Sequence, residues 1–272
     1  MKFIFKGIFF FCLEWLGVNA YFRYKNRGKI KTLMFHSISP RGPFFDNSVS
    51  PESFTRQLLH LSKKYSILKL SQDGQLSGYC ADKVNVLLTF DDGFVDNYLV
   101  AAPILNRFKI TAAFFVIAEC LVEGSPPSFI KLRQIEQANP DSYKTLTILQ
   151  AQGLLAMGMS IGSHGGRHPD YSKLTPEMGI QDAIDSKSFI EAALGVPVES
   201  FAFPWGRFQD KQTEIIETAF RRIFTTEHGF NTSIDDKVFS RNEVANYLHL
   251  CCAASGALDF FSTLLRVNGG SR

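Results

Sequence analysis

"LLTFDDGF", Leu87 to Phe94, runs strand-like, mostly apolar chain straight into two adjacent carboxylates and a glycine. Successive side chains of a strand point to opposite faces, so Asp91 and Asp92 cannot share one side of a strand that continues through them. Either the strand stops at Phe90 or one carboxylate is buried. What such a pair is for depends on what else the chain brings to the same place.

On both sides of this stretch, short β-rich runs alternate with helix-length segments. Strands are predicted at 31–36, 66–70, 84–90, 111–117, 159–164, 200–204 and 221–226, each bounded by polar or glycine-containing turns. A helix is predicted over 51–64, with Ser50 as N-cap and Pro51 at the first helical position. Another follows Thr175 and Pro176 and runs over 176–194, ending at Gly195. Further helices are predicted at 94–107, 146–157, 210–220 and 257–266. A parallel neighbour can be reached only by a long connection, so this alternation implies an α/β fold with right-handed crossovers. A doubly wound sheet and a closed or distorted barrel both fit.

In either architecture chemistry gathers at the carboxyl ends of the strands. His36 follows the first run, Asp91 and Asp92 the third, and His164 and His168 the fifth, while the sixth ends in "FPWG", Phe203 to Gly206. Two imidazoles four residues apart can face one cation if the chain between them is helical or tightly turned, and an Asp carboxylate supplies a third ligand. A His, His, Asp set with an open position suits zinc or a similar divalent ion. Taken alone, HxxxH more often marks surface or capping residues, a doubled Asp more often a turn, and His36 a half-buried histidine. Their convergence at successive strand ends favours the functional reading.

Composition sets the remaining bounds. Of 272 residues, 45% are hydrophobic and 20% charged, enough apolar material for one large core and too much for disorder. The net charge of +3 gives no reason to expect nucleic acid, but residues 1 to 31 hold seven basic groups against Glu14 alone. Five of these basic groups directly follow an apolar segment, Gly7 to Phe22, which is too short and, with Glu14 inside it, too polar to span a bilayer. It is read as an interfacial helix making peripheral membrane contact through residues 1–31. A signal peptide or a helix packed on the domain are the competing readings. The five cysteines lack CxxC spacing and suit a reducing compartment. The expected location is therefore cytoplasmic, peripheral on the inner membrane. The expected organisation is an N-terminal helix and basic stretch over 1–30 and one barrel domain over 31–272.

"TFDDG" (Thr89 to Gly93), "SHGGRHP" (Ser163 to Pro169) and "FAFPWG" (Phe201 to Gly206) resemble, in that order and spacing, the first three motifs of the polysaccharide deacetylase family, the NodB-type carbohydrate esterases. "LMFHSI" with the helix from Pro51 looks like the amino-terminal part of its bacterial envelope-polysaccharide members. The resemblance covers roughly residues 30 to 245. It implies a distorted (β/α)7 barrel, here with an N-terminal amphipathic or apolar helix. It also implies metal-dependent removal of an acyl group, commonly acetyl, from an amino sugar of a polysaccharide or lipid-linked glycan.

Carried over by motif, Asp92, His164 and His168 would bind the metal, zinc first, with cobalt, nickel, manganese or iron as alternatives. Asp91 would be the general base, and a backbone N–H near Trp205 would stabilise the oxyanion. The family's general acid is a His in a short apolar-x-His motif, and both His36 and His249 stand in one; His36 is favoured because it closes a predicted strand. The chain departs from the pattern at Gly165, where Ser or Thr is usual, and at Ala202, where an arginine is usual. It also has no DxxDW motif. Arg241 is the candidate to orient Asp91 instead, with Arg207 in reserve. A non-catalytic glycan-binding protein on the same fold is the alternative reading. A phosphatase with an Asp nucleophile fits less well, since that chemistry usually uses Asp-x-Asp.

Overall fold

The structure, a computed structural model, describes residues 16–39, 48–130, 143–244 and 247–259. Its framework is a ring of short parallel strands: β1 (Ile30–Phe35), β5 (Asn85–Phe90), β6 (Ala113–Val116), β7 (Ser160–Ser163), β8 (Ser200–Ala202) and β9 (Arg222–Phe224). Two further strands, β10 (Val238–Phe239) and β11 (Arg241–Glu243), are separated only by Ser240. The sheet order is β10-β9-β8-β7-β6-β5-β1-β11. Because β10 pairs with β9 while β11 pairs with β1, one interrupted stave joins the two ends of the sheet. Counting that stave once gives the seven of a distorted (β/α)7 barrel.

Strand alternation sorts the core into two layers. On β5, Val86, Leu88 and Phe90 face the surrounding helices, whereas Leu87 faces the barrel axis with Ala113, Phe115, Ala202, Phe224 and Phe239. Phe90 is fully buried, with its ring 4.7 Å from that of Phe114, 5.3 Å from Phe35 and 5.9 Å from Phe54. The amino end of the barrel is filled by Leu68 and Leu70. They come from the run predicted as one strand over 66–70, which is split into β2 (Ser66–Ile67), paired with β5, and β3 (Lys69–Leu70), paired antiparallel with β4 (Leu76–Ser77).

Among the helices, α1 (Val18–Lys25) lies before the barrel, and α2 (Pro51–Lys64) starts at Ser50, whose side chain accepts from Ser53 N–H. The helix predicted over 94–107 begins as a wide π-type turn, Asn97–Ala101, and becomes regular only in α3 (Ala102–Arg107). Pro103 accounts for this, since it has no N–H to give to residue 99. The others are α4 (Ile148–Ala156), α5 (Pro176–Leu194), α6 (Asp210–Ala219) and α7 (Tyr247–Ser255). α5 starts at Thr175 and ends at Gly195, which is left-handed at φ 69°, as its sequence predicts. α7 is not among the predicted helices; residues 257–259, the start of the helix predicted over 257–266, are helical.

Most of the predicted interfacial helix lies outside the described residues. Its described end, α1, packs on the domain through Phe22 against Cys252 and Ala257. No helix among the described residues is long and apolar enough to cross a membrane.

Phe90 ties three neighbouring aromatics together directly beneath the carboxylate pair. Phe90→Ala is expected to cost about 3–5 kcal/mol of unfolding free energy, read from urea denaturation; a cost below about 1 kcal/mol would contradict this packing.

Candidate active site

Alternation along β5 places Thr89 and then Asp91 on the axial side, and Asp91 N–H still bonds to Phe35 O at 2.9 Å. The strand then turns. Asp92 has φ 67° and Gly93 φ 62°, so the backbone leaves the pleat one residue earlier than glycine requires. Aspartate tolerates this left-handed region better than most residues. The turn keeps both carboxylates at the barrel mouth, 3% and 7% exposed, and a Cβ on Gly93 would meet Val116 at 3.0 Å.

Asp91 is gripped by Arg241. The guanidinium donates from Nη1 to Oδ1 at 2.6 Å and from Nη2 to Oδ2 at 2.8 Å, while Nε donates to Thr225 O at 2.9 Å. Arg241 is fully buried, and its guanidinium lies 5.6 Å from the Phe115 ring centroid and 6.0 Å from that of Phe224. Arg207, the reserve, instead pairs at the surface with Asp170. Burial alone would raise the Asp91 pKa, but the charge of Arg241, then that of His164, outweighs it and holds the carboxyl below its ordinary range.

Asp92 faces the histidines. Its Oδ1 lies 3.5 Å from His164 Nε2 and 3.3 Å from His168 Nε2. The loop between the two histidines is not helical: Gly165 has φ 77° and His168 φ 59°. Gly165 N–H bonds to Ser163 Oγ, and a Cβ at Gly165 would meet Asp182 Oδ2 at 3.0 Å. Glycine here therefore trades a hydroxyl for a tighter turn. Asp182 anchors the loop by accepting from Gly166 N–H and the Tyr171 hydroxyl. The Asp92 pKa is lowered despite burial by its contacts to His164 and His168. Burial depresses His164, yet Asp91 and Asp92 raise it above its ordinary value. His168 is lowered, first by burial and further by its neighbour His164, with Asp92 offsetting part.

One donor atom from each of Asp92, His164 and His168 lies within 4.8 Å of the others, and all three residues are buried. The edge of a tetrahedron with arms of about 2.1 Å is about 3.4 Å, close to both carboxylate-to-imidazole distances. Asp92 Oδ1 is buried with no hydrogen-bond partner, as a ligand atom facing a cation would be. His164 Nδ1 lies 2.8 Å from Ala202 O, which leaves Nε2 as the lone-pair nitrogen. The set fits a small divalent ion.

These groups line a cleft of about 450 Å³ with His36, Glu243, Phe129, Trp205, Thr226 and His228. His36 follows β1, and its Nδ1 is 4.0 Å from Glu243 Oε1. His249, on α7, is not among the lining residues. Trp205 is left-handed at φ 60° and half exposed, with its ring 4.8 Å from His168 and 5.3 Å from Phe129.

Glu243, His228, Thr226 and Phe129 were not singled out from the sequence. Glu243 is two residues beyond Arg241 and so shares its face, a signal available once 241–243 is read as a strand. His228 and Thr226 follow β9 as the other site residues follow their strands. Phe129 lies in a proline-containing loop with no such marker.

Sequence comparison identifies the family to which this seven-stave barrel and the cluster at its mouth belong. The chain belongs to the polysaccharide deacetylase family, whose profile matches residues 78–220. It is therefore a carbohydrate deacetylase by family. It is 27% identical over 220 residues to YxkH of Bacillus subtilis (strain 168), which bears the polysaccharide deacetylase name; the match spans 78% of this chain and 69% of the relative. The Streptococcus pyogenes deacetylase PplD, solved with acetate, shares 26% identity at a TM-score of 0.63, over 80% of this chain and 92% of PplD. IcaB from Ammonifex degensii shares the fold at a TM-score of 0.67 and 21% identity, over 84% of this chain and 97% of IcaB.

Removing one partner of a buried ion pair strands the other. Arg241→Met is expected to cost about 3–5 kcal/mol in chemical denaturation of the metal-free protein, and clearly less in an Asp91→Asn background. Equal costs in the two backgrounds would show that the pair is not coupled.

Proposed function

We propose that the chain is a metal-dependent N-deacetylase that removes an acetyl or similar acyl group from an amino sugar of a polysaccharide. The observation that carries this reading is the separation of the two adjacent carboxylates, Asp91 onto Arg241 and Asp92 onto the histidine pair. Asp92, His164 and His168 would hold the ion, with zinc best suited to one carboxylate and two imidazoles. When bound, a divalent ion supplies Lewis acidity, acidifying water and polarising the acyl carbonyl.

The remaining steps belong to side chains of this protein. Asp91, ionised and aimed by Arg241, accepts the proton of the attacking water. Its two oxygens each accept one Arg241 bond, which leaves lone pairs for that proton, and Oδ2 stands 3.9 Å from His164 Nε2, farther than Asp92 Oδ1 at 3.5 Å. As the carbonyl carbon becomes tetrahedral, charge grows on its oxygen, and a backbone N–H in the Trp205 turn is assigned to meet it. His36 protonates the departing nitrogen, releasing a free amine and a carboxylate. Phe129 and the half-exposed Trp205 offer apolar faces against which a sugar ring can lie. A polymer and a lipid-linked sugar both fit the chemistry.

The test is acetate release across acetylated glycans, coupled to metal analysis. Asp91→Asn should keep stoichiometric metal while turnover falls by about 10²–10⁴; full activity in that variant would remove the base assignment. Asp92→Ala and His164→Ala should lose both metal and activity. His36→Ala should lower turnover by about 10²–10⁴ whereas His249→Ala leaves it near the parent value, and the reverse pattern would move the acid to His249.

A further inference from the structure

The mouth occupies one pole of the barrel, and a hollow at the opposite pole is lined by cations. Arg23 lies in α1 and Arg27 just beyond it, Lys64 ends α2, and Lys83 stands just before β5; together with Tyr24 they line a hollow of about 290 Å³. Four cations there face one lining carboxylate, Asp82. Two guanidiniums are laid against rings, Arg27 4.4 Å from the Tyr24 centroid and Arg23 5.9 Å from that of Tyr65. The same segment presents apolar and aromatic surface outward, with Leu16 66%, Tyr21 60% and Tyr24 65% exposed. Cations beside exposed tyrosines are the pairing that suits a headgroup layer, with phosphates for the cations and an amphipathic boundary for the rings.

We propose that this pole docks the protein on an anionic bilayer. The charge distribution of the chain agrees: leaving aside Lys31, which is buried against Asp259, residues 1 to 31 carry six basic groups against one acidic group in a protein of net charge +3. Strand direction then fixes the orientation. Arg27 and Lys83 stand just before the first residues of β1 and β5, while His36 and Asp91 directly follow the last residues of those same strands. Each strand has six residues, a length of about 20 Å. Docking by the basic pole therefore turns the cleft away from the membrane by at least that height. Taken with the deacetylase reading, on which this corollary rests, the orientation favours glycan chain extending from the surface over the first sugar of a lipid carrier.

The experiment is co-sedimentation of the full chain with vesicles of phosphatidylcholine alone or with phosphatidylglycerol added. Binding should be at least about tenfold stronger to the anionic vesicles and should fall as salt shortens the range of the attraction. Arg23→Glu with Arg27→Glu should abolish that preference while acetate release from a soluble acetylated oligosaccharide stays at the parent value. Lys64→Glu with Lys83→Glu should reduce it in the same way from elements outside α1, so a folding defect in α1 cannot mimic the result. Equal binding to both vesicles, or charge-reversed proteins that bind like the parent, would overturn the proposal. Failure of the deacetylase reading would appear separately, as absence of acetate release from every substrate whatever the vesicle result.

Discussion

The buried pair between Arg241 and Asp91 is the constraint on which the site and the ring both depend. A guanidinium with no exposed surface is tolerable only when its charge is matched and its donors are satisfied. That match requires Arg241 to stand opposite Thr32, the register in which β11 pairs with β1 and completes the barrel. A slip of one residue would send Arg241 to the outer face and bring Asn242 inward. Closure of the seventh stave and orientation of the Asp91 carboxylate are thus one structural event. The outer face of the same stave is held separately: Asn242 bonds to Asp259, which also pairs with the fully buried Lys31 of β1.

The arrangement also explains how Asp91 is paired without an arginine at residue 202. Ala202 is small and lies in the axial layer, and its carbonyl serves His164. The cation arrives instead from across the barrel, clamped between Phe115 and Phe224. Gly165 is a comparable local solution. With a hydroxyl-bearing residue there, the left-handed turn would be strained and the side chain would crowd Asp182, which already secures the loop through Gly166 and Tyr171.

Much of the fold was legible because its signals are local. Ser50 with Pro51, and Thr175 with Pro176 and Gly195, mark helix boundaries by their own backbone chemistry, and the observed helices keep those limits. Apolar runs such as 84–90 mark buried strands. Strand β11 was missed because its inward residues are Arg241 and Glu243, so charged side chains stand where apolar alternation would reveal a strand. Helix α7 escaped for the opposite reason. From Leu250 to Ala254 every residue is fully buried, so no polar face remains to reveal a period. Within the site, motif residues could be found one by one. The turn at Asp92 that aims two neighbouring carboxylates at different partners exists only in three dimensions, because it depends on φ values and on Val116 packed beneath Gly93.

The central claim is that adjacent carboxylates divide the work, one directed with two histidines at a single divalent ion and the other paired with an arginine. Anomalous diffraction from crystals of the zinc-loaded protein tests it directly. The account predicts a single strong peak bounded by Asp92, His164 and His168, with Asp91 still paired to Arg241. A peak ligated by Asp91, with that carboxylate turned away from Arg241, would contradict it.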